Sequence, residues 1–178
     1  MRTRIAFPFL LPLLLAVAGC VKQDELYAPP YQRHPLAGPD TSRLKHFVAM
    51  NHPDAPAHFV RDVHERLESG LWRWTGQRPL LRFVLPRTAK RLKFVMDFTI
   101  PDEVLTQTGP LTVTYFINTH QIDQATYTTS GERHYEKDVD PQWLAAVDNV
   151  VSAELNKVFV GDDGAKLGLA LIRAGFRE

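Results

Sequence analysis

The sequence predicts a mainly β protein, an antiparallel sandwich or barrel of six to eight strands with one or two short helical turns. Three observations lead there. Apolar and polar residues alternate with the period of a half-buried strand. The longest run is Leu92, Phe94, Met96, Phe98 and Ile100, with Arg91, Lys93, Val95, Asp97 and Thr99 between them. Turn-forming residues recur between such runs, as at Pro86, Asn118-Thr119, Ser130-Gly131 and Gly161–Gly164, the punctuation of an all-β chain. Strand–helix–strand alternation is missing, which argues against dinucleotide-type folds.

The chain opens with a basic Met1–Arg4 and an apolar Ile5–Ala18, with small residues just before Cys20. The apolar run falls short of the roughly 20 residues needed to cross a bilayer, so it reads as a secretory signal. Within it, Val17-Ala18-Gly19-Cys20 resembles the lipobox of bacterial lipoproteins. That resemblance implies a diacylglyceryl thioether on Cys20, cleavage before it and acylation of the new amine. Val21 in place of aspartate implies sorting to the outer membrane. The plain alternative is an ordinary secretory signal with a chance cysteine. The expected organisation is a signal peptide over 1–19, a lipidated Cys20 with a proline-rich tether over 20–43, and a β-sandwich domain over 44–178. Pro29, Pro30, Pro35 and Pro39 make the tether an extended spacer.

Composition narrows the partners. With 44% hydrophobic and 23% charged residues, the chain has the content of an ordinary globular protein. Its formal net charge of +1 becomes −1 once Arg2 and Arg4 leave with the leader, so no argument for nucleic acid arises. One cysteine permits no intrachain disulfide, and the fold must hold by packing. Nothing implies a cofactor.

Leu44–Gly70 is interrupted by Pro53 and Pro56. Phe59, Val63 and Leu67 have helical spacing, which allows a short helix over 57–67. A strand over Phe59–Val63 is preferred because the rest of the chain is β. His46, His52, His58 and His64 recur every six residues. That spacing supplies no helical i, i+4 metal pair, and scattered surface histidines are the simpler reading. Strands are then expected over Leu71–Gly76, Leu81–Leu85, Leu92–Ile100 and Leu111–Ile117. Asn118-Thr119-His120 reads as a hairpin turn leading to Gln121–Thr129 and Glu132–Val139. Asp140-Pro141 reads as a cap with proline at the first helical position, opening a turn through Trp143, Leu144 and Val147. Asn149–Val158 and Leu167–Phe176 close the series.

Trp72-Arg73-Trp74-Thr75, Ile117-Asn118, Val158-Phe159-Val160 and Asp163-Gly164-Ala165-Lys166-Leu167-Gly168-Leu169 together resemble a family of bacterial β-sandwich modules. These have the jelly-roll character of galactose-binding-like domains and occur beside glycan-handling enzymes or alone behind a lipobox. The match spans about Leu44–Phe176 and implies a jelly-roll-like sandwich, with no catalytic residues to carry over. Asn118-Thr119 departs from the family's frequent Asn-Gly, and Lys166 stands where arginine is common.

Among candidate sites, Trp72 and Trp74 share a face if their segment is a strand. Paired indoles there form either a sugar platform or core. Trp143, in a connecting turn, is the third aromatic candidate. Asp162 and Asp163 offer hard oxygen ligands for calcium, although acidic residues beside glycines are also ordinary turn chemistry. Glu65, Glu68, Asp102 and Glu103 offer carboxylates, and Ser130 lacks a nucleophile-elbow context. Arg82, Arg87, Lys90, Arg91 and Lys93 form a basic cluster that could touch anionic glycan or lipid headgroups, although alternating outward charges on a strand usually serve solubility alone. The expectation is a noncatalytic, lipid-anchored binding module of the cell envelope, with membrane contact through Cys20 and a glycan as ligand. The alternative is a membrane-tethered scaffold or assembly subunit that binds an envelope protein.

Overall fold

The computed structural model describes residues 41–85 and 91–178. The leader, Cys20, the tether up to Asp40 and residues 86–90 lie outside the described residues. The strands are β1 (Phe47–Ala49), β2 (Phe59–Val63), β3 (Arg73–Val84), β4 (Lys93–Ile100), β5 (Leu111–Ile117), β6 (His120–Tyr127), β7 (Gly131–Asp138), β8 (Asp148–Leu155), β9 (Phe159–Val160), β10 (Lys166–Leu167) and β11 (Ala170–Arg177). Eight of these have five residues or more, in line with expectation, and β1, β9 and β10 are short additions.

The main sheet runs β6-β5-β8-β3-β11-β4-β7, with β2 added to β3 and β1 to β11. Its pairings are antiparallel. β3 turns this one sheet into two layers. Its first residues pair with β11, Trp74 opposite Ala170, and its last five pair with β8, Leu80–Val84 opposite Ser152–Asp148. One layer is therefore β2-β3-β8-β5-β6 and the other β1-β11-β4-β7. Ring contacts join them: Tyr115 stacks on Tyr135 at 3.7 Å, Phe98 meets Tyr127 edge-on at 5.7 Å, and Phe83 meets Phe176 at 5.9 Å. This is the expected β-sandwich, with a core of inward alternate residues from both layers.

The period-two reading of β4 holds on the core side, where Phe94, Met96, Phe98 and Ile100 are buried. Burial keeps the Tyr115 and Tyr135 hydroxyls neutral by raising their pKa well above the usual phenol value, and Tyr115 reaches the Tyr127 hydroxyl at 2.8 Å.

Three local outcomes differ from or sharpen the sequence reading. In place of separate strands over Leu71–Gly76 and Leu81–Leu85, one strand, β3, runs from Arg73 to Val84 and leaves Leu71, Trp72 and Leu85 outside it, with its pairing to β2 interrupted by a bulge. Asp102–Thr108 forms an unexpected helix, α1. Asp102 and Glu103 complement its N-terminus and Gly109 ends it at φ 70°, but only Val104 is buried, which leaves no apolar periodicity to read. Between Ala57 and Leu67 the strand wins: a single 3₁₀ turn, Ala55–His58, leads directly into β2.

Two expected turns are seen. Asn118, at φ 53°, turns β5 into β6 and donates from Nδ2 to the Trp143 carbonyl at 2.7 Å. Its Oδ1 accepts from Val150 N–H at 2.9 Å. These two bonds use both ends of the asparagine amide, and Thr119 lies outside the positive-φ region, so the position after Asn118 does not need glycine. Asp140 Oδ1 accepts from Gln142 N–H at 3.0 Å, capping the 3₁₀ turn Pro141–Trp143.

Candidate functional site

A cleft opens where β2 and β3 part company. Arg61 pairs with Leu80 but Val63 pairs with Thr75, so Asp62 alone faces Gly76–Pro79. The cause is in the sequence. Pro79 has no N–H to give to the ladder, and Asp62 adopts φ 55°, a region aspartate tolerates. Asp62 Oδ2 then accepts from Arg78 N–H at 2.9 Å. A Cβ on Gly76 would come within 3.1 Å of the Asp62 Cγ, so glycine lets the carboxylate sit down on the bulge. Gln77 is fixed by its Nε2 donating to the Leu155 carbonyl at 3.1 Å, and Arg78 Nε lies 3.7 Å from Glu154.

The β9–β10 hairpin forms the opposite side. Its loop closes through Gly161 N–H on the Ala165 carbonyl at 2.9 Å and Asp163 Oδ1 accepting from Ala165 N–H at 2.9 Å. Gly168 then lies against β3. Its N–H reaches the Thr75 carbonyl at 2.7 Å, and a Cβ there would stand 2.8 Å from the Gly76 carbonyl. Leu169 N–H also donates to Thr75 Oγ1 at 2.9 Å. The Gly168-Leu169 segment is thus bonded tightly to β3 beside the bulge.

Two adjoining cavities result, sharing His64. One, about 470 Å³, is lined by Asp62, His64, Gly76, Gln77, Arg78 and Lys166. The other, about 270 Å³, brings together His64, Arg66, Glu68, Trp74, Asp163 and Leu167. Trp74 is half-buried and packs partly on the core. Trp72 meets it edge-on, with centroids 5.2 Å apart at 88°. Arg66 and Glu68 pair at 3.0 Å on the rim. The cleft thus offers one aromatic face among alternating acids, bases and an amide, able to pack against an apolar ring face while hydrogen-bonding its hydroxyls.

Placement of the other candidates follows. Trp72 precedes β3, and its half-exposed ring is perpendicular to Trp74, so the two indoles are neither a coplanar platform nor full core. Between them Arg73 takes the buried position. Its Nε donates to the Met50 carbonyl at 3.0 Å and its guanidinium lies 5.4 Å from the Phe59 ring. Burial lowers its pKa, partly offset by Glu65. Trp143 sits beside Asn118 and the start of β8, at the other end of β3 from Trp74, so the three indoles do not gather.

Asp163 enters the cleft rim but spends Oδ1 on its own turn, and Asp162 is exposed. Among the described residues, no three His, Cys, Asp or Glu side chains come together as a metal-holding group. Of the histidine series, His58 is buried, His52 contacts Lys45 and Asp54, and only His64 lines the cleft. Glu68 shares the cleft, whereas Asp102 and Glu103 open α1, where Asp102 accepts from Ser130 Oγ. Of the basic cluster, Arg87 and Lys90 lie outside the described residues, Arg82 is on β3, and Lys93 is on β4 bonded to Glu136. That bond raises the Lys93 pKa and lowers that of Glu136.

The residues that sequence reasoning missed are Asp62, Arg66, Gln77, Arg78 and Lys166. A Gly-x-x-Pro stretch inside a strand pattern was the available signal, since both residues mark a bulge.

No protein-family model matches the sequence, and no curated protein matches it. Among solved structures, the chain is similar to TmCBM27, a carbohydrate-binding module described for specific mannan recognition. The identity is 11% and the TM-score 0.40, over 76% of this chain and 97% of the other. A likeness at that level assigns no ligand.

Proposed function

We propose that this chain is a noncatalytic glycan-binding module, held at a bacterial envelope membrane by lipid on Cys20, with the Trp74 cleft as its binding site. The observation that carries the reading is the half-exposed Trp74 face enclosed by His64, Arg66, Glu68 and Asp163. Sugar rings present an apolar C–H face and a hydroxyl edge, and a site with one indole and several planar polar groups complements both. Acids and bases balance along the rim, so the cleft favours neutral or weakly charged saccharides over strong anions.

The test is titration of the full chain with neutral oligosaccharides, followed by tryptophan fluorescence and calorimetry. Trp74→Ala is expected to weaken binding at least tenfold while leaving the thermal transition cooperative. Unchanged affinity in that variant would remove the cleft from the reading. Retention of a stoichiometric envelope protein, with no saccharide response, would favour the scaffold alternative instead.

Anchoring is tested separately. Among the described residues no helix is long and apolar enough to cross a membrane, and the anchor in this proposal is the Cys20 lipid. Three acyl chains bind far more firmly than one, at about 0.8 kcal/mol per buried CH₂. Cys20→Ser is expected to move the protein from the membrane fraction to the soluble one. If the variant stays with membranes after a high-salt wash, the lipid anchor is refuted.

A further inference from the structure

The outer face of the β1-β11-β4-β7 layer carries a second concavity, whose lining shares no residue with the Trp74 cleft. The register places Asp97 of β4 between His134 of β7 and Arg173 of β11. Asp97 is only 8% exposed, although it occupies an outward position where β alternation asks for an ordinary polar residue. Both of its oxygens are held: His134 Nδ1 lies 2.5 Å from Oδ1, and Arg173 Nε donates to Oδ2. His134 Nε2 in turn lies 3.7 Å from Glu136. Burying a carboxylate costs free energy unless it is paired and hydrogen-bonded, and a Val or Thr would suit this strand position at no such cost. The three side chains fix one another's orientation, as a preorganised binding surface requires.

Above this triad lies a cavity of about 570 Å³, within the range of about 300–1,000 Å³ common for small-molecule sites. Leu71, Ile172 and Ala49 supply its apolar lining, and Leu71 is 47% exposed. Asn51 and Glu132 add further polar groups. Arg133 is spent: its guanidinium serves the carbonyls of Thr129, Ser130 and Glu132 and lies 5.7 Å from the Tyr127 ring. Asp97 and Glu132 balance Arg133 and Arg173, so the lining has no net charge when His134 is neutral. A charged ligand gains little from such a lining. A hydroxyl-rich neutral one gains oriented donors and acceptors together with an exposed leucine.

We infer that this outer-face cavity is a second binding site, for a short neutral oligosaccharide, independent of the Trp74 cleft. Two sites on one tethered module let a single polysaccharide engage both, so that affinity for the polymer exceeds that for either fragment.

The test is calorimetric titration of the full chain and two variants with neutral oligosaccharides derived from glucan, mannan, xylan and chitin. A uronic-acid oligosaccharide is the charged comparison. His134 has a side chain 57% exposed and Leu71 is also exposed; in the double variant Leu71→Ala/His134→Ala, Arg173 still pairs with Asp97, and the thermal midpoint measures the stability lost with the His134 bond. The wild type is expected to bind two equivalents. The double variant is expected to keep one and to weaken the other more than tenfold, and Trp74→Ala to keep the equivalent that the double variant loses. Wild-type stoichiometry and affinities in the double variant would overturn the outer-face site. So would loss of all binding in Trp74→Ala, which would leave the cleft reading intact. One wild-type equivalent, abolished only in the double variant, would support this site and refute the cleft. Preference for the uronic-acid chain would overturn the neutral ligand class, and no binding of any probe would overturn both sites.

Discussion

Gly175→Ala is expected to lower the unfolding free energy by about 3–5 kcal/mol. Gly175 sits in β11 opposite Phe47 of β1 and Val95 of β4, at φ 138°, where L side chains are strained. Strain of that kind contributes about 1–3 kcal/mol. A Cβ there would also lie 2.4 Å from the His46 carbonyl oxygen and 2.6 Å from the Phe47 Cα. These are backbone atoms, so no rotamer change relieves the clash, and β1 must move away. The His46 carbonyl accepts from Phe176 N–H, and Phe176 is a fully buried core ring, so displacing β1 disturbs the core beneath it. Gly164→Ala is the control. Its φ of 80° carries strain but nothing lies within 4 Å of the added methyl, and a loss of about 1 kcal/mol is expected. Chemical denaturation of both variants measures the difference; equal midpoints would show that the β1–β11 approach is not tight.

The contrast between these two glycines shows what the sequence could and could not reveal. Local pattern was sufficient wherever one face of an element meets the core and the other meets water. β5 alternates that way throughout and β4 does so on its core side, although Val95 and Asp97 on the other side are covered as well; the segment expected as one strand over Leu167–Phe176 is divided between β10 and β11. The same reasoning failed at α1, which buries only Val104 and so leaves no period to detect. It also failed at β1, β9 and β10, strands of two or three residues that exist because distant segments offer them a partner. Pairing across the chain is a property of tertiary structure.

The site was legible in the same partial way. Trp74, Asp163, Glu68 and His64 stood out as residue types, and the bulge at Gly76–Pro79 together with the β9–β10 hairpin brings them to one cleft. Trp72 and Trp143 stood out equally, yet one lies edge-on to Trp74 and the other lies at the far end of β3. Asp97 and His134 did not stand out at all. Each reads as an ordinary outward residue of an alternating strand, and only the register across β11, β4 and β7 makes them neighbours. A residue's chemistry shows in a sequence, but which residues meet depends on strand order.

His58 is expected to make the fold acid-labile well above the pH at which carboxylates titrate. It closes the 3₁₀ turn before β2 and is fully buried. Its ring lies 5.0 Å from Phe83, one nitrogen, Nδ1, is 2.7 Å from the Arg82 carbonyl, and the other, Nε2, accepts from Lys45 N–H at 3.4 Å. That pattern fits the neutral ring with its proton on Nδ1. A second proton would place a charge beside Phe83 and remove the acceptor that Lys45 uses. Burial accordingly lowers the His58 pKa, against smaller opposing effects of the Arg82 carbonyl and Asp54, while Lys45 and His52 lower it further. Above the ordinary histidine value of 6.5 both folded and unfolded chains carry neutral His58, and the stability is fully present. Below it the unfolded chain takes up a proton that the folded chain refuses, so stability falls with decreasing pH, by up to about 1.4 kcal/mol per unit, until the folded ring itself is protonated. Asp123 and Glu136, whose pKa values are lowered, act in the same direction but below the ordinary carboxylate range. Denaturation midpoints at pH 8, 7, 6 and 5 should therefore decline for the wild type between 6.5 and 5, and decline less for His58→Gln, which keeps an amide donor for Arg82 without a titrating ring. Parallel profiles for the two proteins would show that the buried imidazole does not govern acid stability.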